Sequence, residues 1–303
     1  INYRLNVYGF LAHPWLDEES GRGISGNYGI LDQIAALQWV SDHIAAFGGD
    51  PDNITIFGQS AGAMSVQTLL SSELTGNKIA KAILQSGGSY RVGVHRDMPL
   101  REAEEYGERF VELIGAKDLA GLRAMSTQEL EKPLGQMMAE AFTSGKGLFF
   151  VPNIDGHVLK QGYNATIEEK KLKHIPYLLG STKNDIMVTK EQLAAGEKGT
   201  LYEGCMAFSH KMEELWAEPS HVYYFSRQMP GDEEGAFHSA ELWYVFGTVK
   251  RCWRPLTEAD VQLSERMLDY WTNFMKKGDP NGDGLPQWRE CSVADPFVME
   301  FDV

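Results

Sequence analysis

A short apolar segment followed directly by a turn between two glycines constrains the fold of this chain more than any other feature. The segment Ile54–Phe57 predicts a buried β-strand, and residues 58–62 have the sequence Gly-Gln-Ser-Ala-Gly. Small residues follow this turn, so a helix can start close against the strand that the chain has just left. A strand, a tight turn and a helix in this order are typical of one unit of a parallel sheet.

Strands and helices alternate over the first ninety residues. Residues 1–10 alternate like a strand, residues 30–47 carry apolar side chains at helical spacing, and Ala82–Ser86 predicts another buried strand. This alternation predicts an α/β fold with a doubly wound, mostly parallel sheet. Because residues 1–10 are interpreted as a strand from their first residue, we expect the sequence to be truncated upstream, with the early strands of the sheet missing.

The rest of the chain alternates less regularly. Residues from about 97 to 146 and from about 190 to 218 lose the strand signal and are rich in helix-forming residues. They predict two helical insertions within a single domain that covers residues 1–303. Two strands and a long final helix are predicted at Pro176–Gly180, His221–Ser226 and Leu263–Lys276.

Charge and cysteine content limit the partners and the compartment. The formal net charge is −14, so nucleic acid and anionic membrane surfaces would be repelled. No apolar run approaches the length of a transmembrane helix. Cys205, Cys252 and Cys291 lie far apart and match no metal-binding spacing, which favours free thiols and a cytoplasmic location.

The turn at residues 58–62 carries a candidate nucleophile, Ser60. A Gly-x-Ser-x-Gly pentapeptide between an apolar strand and a helix is the setting of a nucleophile elbow. We expect glycine at positions 58 and 62 because a side chain would collide with neighbouring backbone. The N–H of Ala61, at the start of the helix, is the expected donor to an oxyanion. The alternative is an ordinary glycine-rich turn with a solvated serine.

A serine nucleophile needs a base, and the base needs a carboxylate that orients it. In a sheet of this type the order along the chain is serine, acid, histidine, each after the carboxyl end of a strand. Asp185 follows the strand Pro176–Gly180, although an isolated Asp is more often a surface residue. His238 follows the strand that begins at His221 and is the best candidate among the eight histidines, although a lone His is more often structural. The other six are His13, His43, His95, His157, His174 and His210.

Several of these segments together resemble the type-B carboxylesterase/cholinesterase family of α/β-hydrolases. The specific part of the resemblance consists of Gly26–Gln33, Ala36–Val40, Ile44–Pro51 and Ile54–Gly62. Weaker similarity extends it over essentially the whole chain, at Asn2–Leu5, Gly9–Leu11, Leu84–Gly87, Val151–Gly156, Gly235–His238, Glu241–Leu242 and Gly278–Pro280. The resemblance implies the α/β-hydrolase fold and hydrolysis of carboxylic esters.

The same resemblance places Ser60, Asp185 and His238 at the positions of a catalytic triad. It places Ser86 at a position that helps to hold the acid, where a plain serine at a strand end is an equal alternative. The chain departs from the family pattern in two residues, since the family usually has Glu where Asp185 and Gln59 stand. It also begins after the family's glycine-rich oxyanion loop. Loss of one oxyanion donor typically lowers the rate about 10²- to 10³-fold.

Residues 279–290 formally match a calcium-binding loop, with Asp279 first and Glu290 twelfth. Pro286 at the eighth place and the non-helical sequence after Glu290 argue against calcium, and a turn after the last helix is the favoured interpretation. No metal and no organic cofactor is therefore expected.

The sequence as a whole predicts a serine hydrolase that cleaves a neutral, largely apolar small-molecule ester through an acyl-enzyme. The alternative is a catalytically silent, esterase-like fragment or interaction module that lacks its upstream oxyanion loop. Four aromatic residues are candidate walls of a substrate pocket, although each is more readily explained as core: Phe149, Phe150, Trp243 and Tyr244.

Overall fold

The computed structural model describes residues 1–91, 96–145 and 147–303, so His95 lies outside the described residues. The chain forms two compact units, which are described separately. The first contains Ile1–Asp42, Ser71–Gly76 and Arg96–Thr166. The second contains His43–Leu70, Asn77–His95 and Ile167–Val303. One domain over residues 1–303 stays a prediction.

The strands, in chain order, are β1 (Thr55–Gln59), β2 (Lys81–Gln85), β3 (Met98–Pro99), β4 (Asn153–Ile154), β5 (Tyr177–Thr182), β6 (His221–Phe225) and β7 (Met299–Phe301). The α-helices are α1 (Asn6–Phe10), α2 (Pro14–Ser20), α3 (Tyr28–His43), α4 (Ala61–Ser71), α5 (Leu100–Ile114), α6 (Leu119–Ala124), α7 (Thr127–Thr143), α8 (Tyr163–Glu168), α9 (Lys190–Ala194), α10 (Thr200–Trp216), α11 (Leu242–Val245) and α12 (Glu258–Lys277). Short 3₁₀ helices lie at Ile44–Phe47, Glu73–Thr75 and Val249–Arg251.

The second unit is built on a parallel sheet with the strand order β1-β2-β5-β6-β7. All the strands run in one direction, so their carboxyl ends meet at one edge of the sheet. Gln59 is paired with Gln85 there, and Gln85 with Gly180. The chain segments that leave β1, β2 and β5 therefore start side by side.

An aromatic core packs against this sheet. It joins α12 to β6 and β7 through Trp271, Tyr223 and Phe301, whose ring centroids are 5.2 to 6.1 Å apart. Trp288 closes the cluster, and its indole N–H donates to the carbonyl of Val222 at 3.2 Å. Burial of such large rings is a main source of stability and holds the strand ends in a fixed frame.

The first unit is mainly helical. Helices α5 and α7 pack together through a core that includes Phe110 and Met137, both fully buried. Gly107 allows α5 to approach residue 12, because a Cβ at position 107 would overlap the carbonyl oxygen of Ala12. Helices α5, α6 and α7 lie within the first predicted insertion, and α9 and α10 lie within the second.

The prediction of a strand over residues 1–10 is wrong, because Asn6–Phe10 form helix α1. The amides of Tyr8 and Gly9 donate to the carbonyl of Leu5, each at 3.1 Å. Val7, Phe10 and Leu11 are buried, and their spacing of three and four residues is that of one helix face. The chain therefore does not start in the middle of a strand, and the upstream truncation stays a prediction.

No helix among the described residues combines the length and the apolar character needed to cross a membrane. Cys205, Cys252 and Cys291 are free thiols.

Candidate active site

Ser60 lies directly after β1, with φ at +56°. This left-handed conformation is strained for a residue with a side chain, and it turns the chain sharply from strand into helix. At Gly58 a Cβ would overlap the backbone of Gly62, so only glycine fits. The expected collision at Gly62 is wrong, because a Cβ there would meet no atom within 4 Å. Position 58 alone therefore has the steric requirement that we predicted for both glycines.

Neighbouring backbone holds the turn in place. The amide of Ser60 donates to the carbonyl of Gln85 at 2.8 Å, and the carbonyl of Ser60 accepts from Met64 at 3.1 Å. Gly87 lets the next strand end approach, because a Cβ there would lie 2.6 Å from the carbonyl oxygen of Ser60. Ala61 is exposed and is the first residue of α4, where backbone N–H groups have no partner within the helix.

Asp185 lies in the loop after β5, and its carboxylate is buried. Oδ1 contacts His238 Nδ1 at 2.5 Å and the amide of Ile186 at 2.9 Å. Oδ2 accepts from Ser86 Oγ at 2.7 Å and from the amide of Thr182 at 2.9 Å. Burial raises the pKa of Asp185, but the donors at His238, Thr182 and Ser86 outweigh it and hold this pKa below its usual value. The structure thus provides a charged carboxylate next to His238.

His238 is less than a quarter exposed and is held by the loop after β6. Because Asp185 is charged, His238 Nδ1 carries the proton of this contact, which leaves Nε2 as the acceptor of the neutral ring. Burial lowers the pKa of His238, but the hydrogen bond to Asp185 and its charge outweigh this effect, and the pKa lies above its usual value.

The acid and histidine loops are joined by their neighbours in sequence. The amide of Asn184 donates to the carbonyl of Ala236 at 3.0 Å, and the amide of Ala236 donates to Asn184 Oδ1 at 2.9 Å. A Cβ at Gly235 would overlap the Asn184 side chain. Asn184 therefore positions both loops. Sequence reasoning missed it, and its place directly before Asp185 was the one available signal.

Gln59, the residue before Ser60, contacts the imidazole of His238. Its amide nitrogen lies 3.1 Å from Nε2 and 3.5 Å from Nδ1. An atom in line with the Nε2 lone pair would be much farther from Nδ1, so this amide lies over the face of the ring. Within the described ranges, Ser60 Oγ makes no hydrogen bond to His238, whose ring nitrogens contact Gln59 and Asp185. The structure thus joins His238 and Ser86 to Asp185 by hydrogen bonds, and within the described residues it shows none between Ser60 and His238.

A second buried carboxyl group, Glu241, lies three residues after His238. Its Oε1 accepts from Gln85 Nε2 at 3.1 Å, and its Oε2 is buried without a partner in the described part of the chain. Burial raises the pKa of Glu241 to about 7. Gln85 Oε1 also accepts from the indole of Trp271 at 3.4 Å. The sequence showed Glu241 only as part of the family resemblance, with no sign that it is buried.

The remaining candidates have structural explanations. Tyr244 is fully buried, and its hydroxyl donates to Asp260 at 2.7 Å. Phe149 is buried in the first unit and stacks on Tyr106, with centroids 4.2 Å apart. In the loop after α12, Asn281 bonds through its side chain to both backbone groups of Trp288, at 2.7 and 2.9 Å, and so closes a turn.

Phe150 and Trp243 are partly buried. Phe150 packs edge to face on Phe110, with centroids 5.7 Å apart. Trp243 packs against the aromatic core of the second unit.

The model of the carboxylesterase family matches residues 1–202 and 200–303 of this chain. The para-nitrobenzyl esterase of Bacillus subtilis (strain 168) is 31% identical over 349 residues, covering 100% of this chain and 69% of that protein. The liver carboxylesterase 1 of Oryctolagus cuniculus is 29% identical over 376 residues, covering 99% of this chain and 64% of its own length.

Solved structures agree with these matches. A thermophilic PNB esterase superposes with a TM-score of 0.82 at 28% identity, over 99% of this chain and 69% of that chain. A Geobacillus stearothermophilus carboxylesterase superposes with a TM-score of 0.79 at 28% identity, over 100% of this chain and 70% of that chain. The chain thus spans 64 to 70% of these relatives and has the α/β-hydrolase fold. It belongs to the carboxylesterase family.

Proposed function

We propose that this chain hydrolyses neutral carboxylic esters through a covalent acyl-enzyme, with Ser60 as nucleophile, His238 as base and Asp185 as the group that orients the base. Membership of the carboxylesterase family supports ester hydrolysis. The observation that carries the residue assignment is the contact of 2.5 Å between Asp185 and His238, at the sheet edge where Ser60 stands in a left-handed turn.

In the first half of the reaction, Ser60 Oγ forms a bond to the carbonyl carbon, and its proton passes to His238 Nε2. The imidazolium that results is stabilised by Asp185, whose carboxylate remains charged. His238 then gives the proton to the leaving alcohol oxygen as the ester bond breaks. Asp185 holds the tautomer that this transfer needs, because its carboxylate accepts the hydrogen bond that His238 Nδ1–H donates.

In the second half, water attacks the acyl-enzyme and gives its proton to the same nitrogen. The carbon–Oγ bond then breaks, and Ser60 recovers its proton from His238. During both halves a negative charge develops on the carbonyl oxygen, and the exposed N–H of Ala61 at the start of α4 is the proposed donor.

The raised pKa of His238 sets the expected pH dependence. His238 must be neutral to accept a proton, so activity falls as the pH drops through its pKa, which lies above the ordinary value of 6.5. The net charge of −14 opposes anionic esters and favours neutral ones.

A fluorophosphonate probe tests the proposal directly, since it phosphonylates an activated serine. We expect one adduct per folded chain by intact mass, mapped to Ser60 by peptide sequencing. The adduct should be absent in Ser60→Ala and present in Ser86→Ala, in which Ser60 is retained. Urea-unfolded protein serves as the control for reactivity that does not depend on the fold.

A catalytically silent, esterase-like protein is the second candidate. The lack of a hydrogen bond between Ser60 Oγ and His238 among the described residues favours it, although such bonds are often long in free enzymes. Absence of the adduct in folded chain would support this candidate and contradict the first.

A further inference from the structure

A cavity of about 130 Å³ lies at the amino-terminal edge of the sheet in the second unit. Its walls come from the segments that enter β5 and β6, with residues such as Pro176 and His221, and from Gly278 at the end of α12. Ser60, Ser86, Asp185 and His238 all follow the carboxyl ends of their strands. Because the strands are parallel, the cavity and the proposed catalytic groups lie at opposite edges of the sheet, so the cavity is not part of that site.

One wall of the cavity is an imidazole with unused hydrogen-bonding capacity. His221 is 7% exposed, and its side chain has no hydrogen-bond partner among the described residues. Its ring meets Trp288 edge to face, with centroids 5.9 Å apart. Burial lowers the pKa of His221 to about 4, so the ring is neutral near pH 7. A neutral imidazole has one donor and one acceptor nitrogen, and neither is used within the described part of the chain. His221 is therefore prepared to receive a ligand group.

The other polar walls are acidic. Glu218 and Glu290 line the cavity. Partial burial raises the pKa of Glu290, which is exposed on one side, and the nearby charges of Glu218, Asp279 and Glu213 raise it further. His174 Nε2 lies 2.8 Å from a carboxylate oxygen of Glu218. The charge of Lys277 lowers the pKa of Asp279. Glu218 and Glu290 are the two carboxylates among the described lining residues, and of the cavity's two imidazoles only His174 is bonded to one of them, so the cavity favours a cation.

The apolar walls include Met212 and Trp216. His174 stacks on the Trp216 indole, with centroids 5.1 Å apart and planes 9° from parallel. A cavity of about 150 Å³ accommodates benzene, so a cavity of this size takes a ligand of about five or six non-hydrogen atoms.

We propose that this cavity binds a small organic ammonium ion. One N–H of the ion donates a hydrogen bond to the acceptor nitrogen of His221, and its charge lies between Glu218 and Glu290. Its carbon chain packs against Met212 and Trp216. Such a site does not depend on ester hydrolysis. Its affinity is modest, on the order of millimolar, because so few atoms make contact.

The test uses n-butylammonium chloride as the probe on the full chain at pH 7. The ring carbon–proton resonance of His221, assigned by triple-resonance NMR, is followed during titration at constant ionic strength. We expect a saturable shift, and binding of 1-butanol at least tenfold weaker, because 1-butanol has nearly the same shape without the charge. No saturable shift of His221, or equal binding of the alcohol, would overturn the proposal.

Two charge-neutralising variants locate the site. Glu290→Gln and Glu218→Gln should each weaken n-butylammonium at least threefold, whereas Glu265→Gln, exposed on α12, should leave the affinity unchanged. Retained folding is checked by the NMR spectrum itself. If Glu290→Gln and Glu218→Gln both bind n-butylammonium as tightly as the unmodified chain does, the ion does not occupy this cavity. The readout is binding, so its result is independent of the fluorophosphonate experiment.

Discussion

Two neighbouring strands of the sheet end in the same dipeptide, Gln-Ser, and yet the two ends differ in chemistry. Gln59 and Gln85 are paired in register at the ends of β1 and β2. Ser60 and Ser86, which come directly after them, both have left-handed backbones, with φ of +56° and +51°. Ser60 is half-buried at the start of a helix, whereas Ser86 is fully buried and donates to Asp185.

The difference arises from the chain segment after each serine. After Ser60 the chain enters α4, whose first N–H groups point toward the turn. After Ser86 come Gly87 and Gly88, and Gly87 allows close approach to the carbonyl of Ser60. A left-handed serine at a strand end is thus not a nucleophile by itself. In the proposed reaction, partial exposure and a helix start suit Ser60 to be the nucleophile, whereas burial against the Asp185 carboxylate suits Ser86 to be a support.

The two glutamines differ in the same way. Gln59 reaches the ring face of His238, whereas Gln85 links the buried groups Glu241 and Trp271. The β1 end therefore faces the proposed reaction, and the β2 end carries the buried hydrogen bonds beneath it.

Replacing Ser60 by alanine should have the largest effect on kcat, and replacing Ser86 should have a much smaller one. Ser60→Ala should lower kcat for a p-nitrophenyl ester about 10⁴-fold or more, since the bond-forming atom is removed. Ser86→Ala should lower it at most about tenfold, because Asp185 keeps its contacts to His238, Thr182 and Ile186. Steady-state kinetics measure both. Equal losses would show that the two strand ends are not distinct.

Asp185→Asn should lower kcat about 10³- to 10⁴-fold, because an amide holds the wrong tautomer of His238. The carboxylate raises the pKa of His238, so its removal should also move the acid limb of the kcat/KM profile to lower pH. A pH–rate profile checks both effects. Asp269→Asn, exposed on α12, is the matched control and should change neither the rate nor the limb.

The glycines of the β1 turn should respond in opposite directions. Gly58→Ala should lower the free energy of unfolding by about 2 kcal/mol or more, because its Cβ would overlap the Gly62 backbone. Gly62→Ala should be neutral or raise it by up to about 1 kcal/mol, since the site is open and alanine favours helix. Urea denaturation of both variants measures the difference. A destabilising Gly62→Ala would contradict the open space at that position.

The buried carboxyl beneath the β2 end should make stability depend on pH. The pKa of Glu241 is about 7 in the folded chain against an ordinary 4.5, so its contribution is present at low pH and is lost as the pH rises through 7. Glu241→Gln has no carboxyl to ionise, so its free energy of unfolding should not fall in this way. Relative to the unmodified chain, the variant should gain up to ~3 kcal/mol of stability as the pH rises from about 5 to about 8. Urea denaturation at both pH values measures it. Glu265→Gln should show no such trend.

Much of the sheet was predictable because its signals are local. Ile54–Phe57, Ala82–Ser86, Pro176–Gly180 and His221–Ser226 all correspond to observed strands within one or two residues. The predicted burial of Ile54–Phe57 is wrong, because no residue of β1 is fully buried and Phe57 is 42% exposed. The strand prediction for residues 1–10 was wrong because the buried residues Val7, Phe10 and Leu11 do not alternate as in a strand but share one face of a helix. A short apolar segment supports both periods, and packing chooses between them.

The sequence by itself determined the βα unit around Ser60 and the need for glycine at position 58. These features depend on steric limits and periodicity within a few residues. Only the tertiary structure decided that Asp185 meets His238, that Gln59 lies on the imidazole face, that Glu241 is buried and that His221 faces an acidic cavity. Such contacts join residues far apart in the chain, and burial alters their chemistry in ways that no local pattern records.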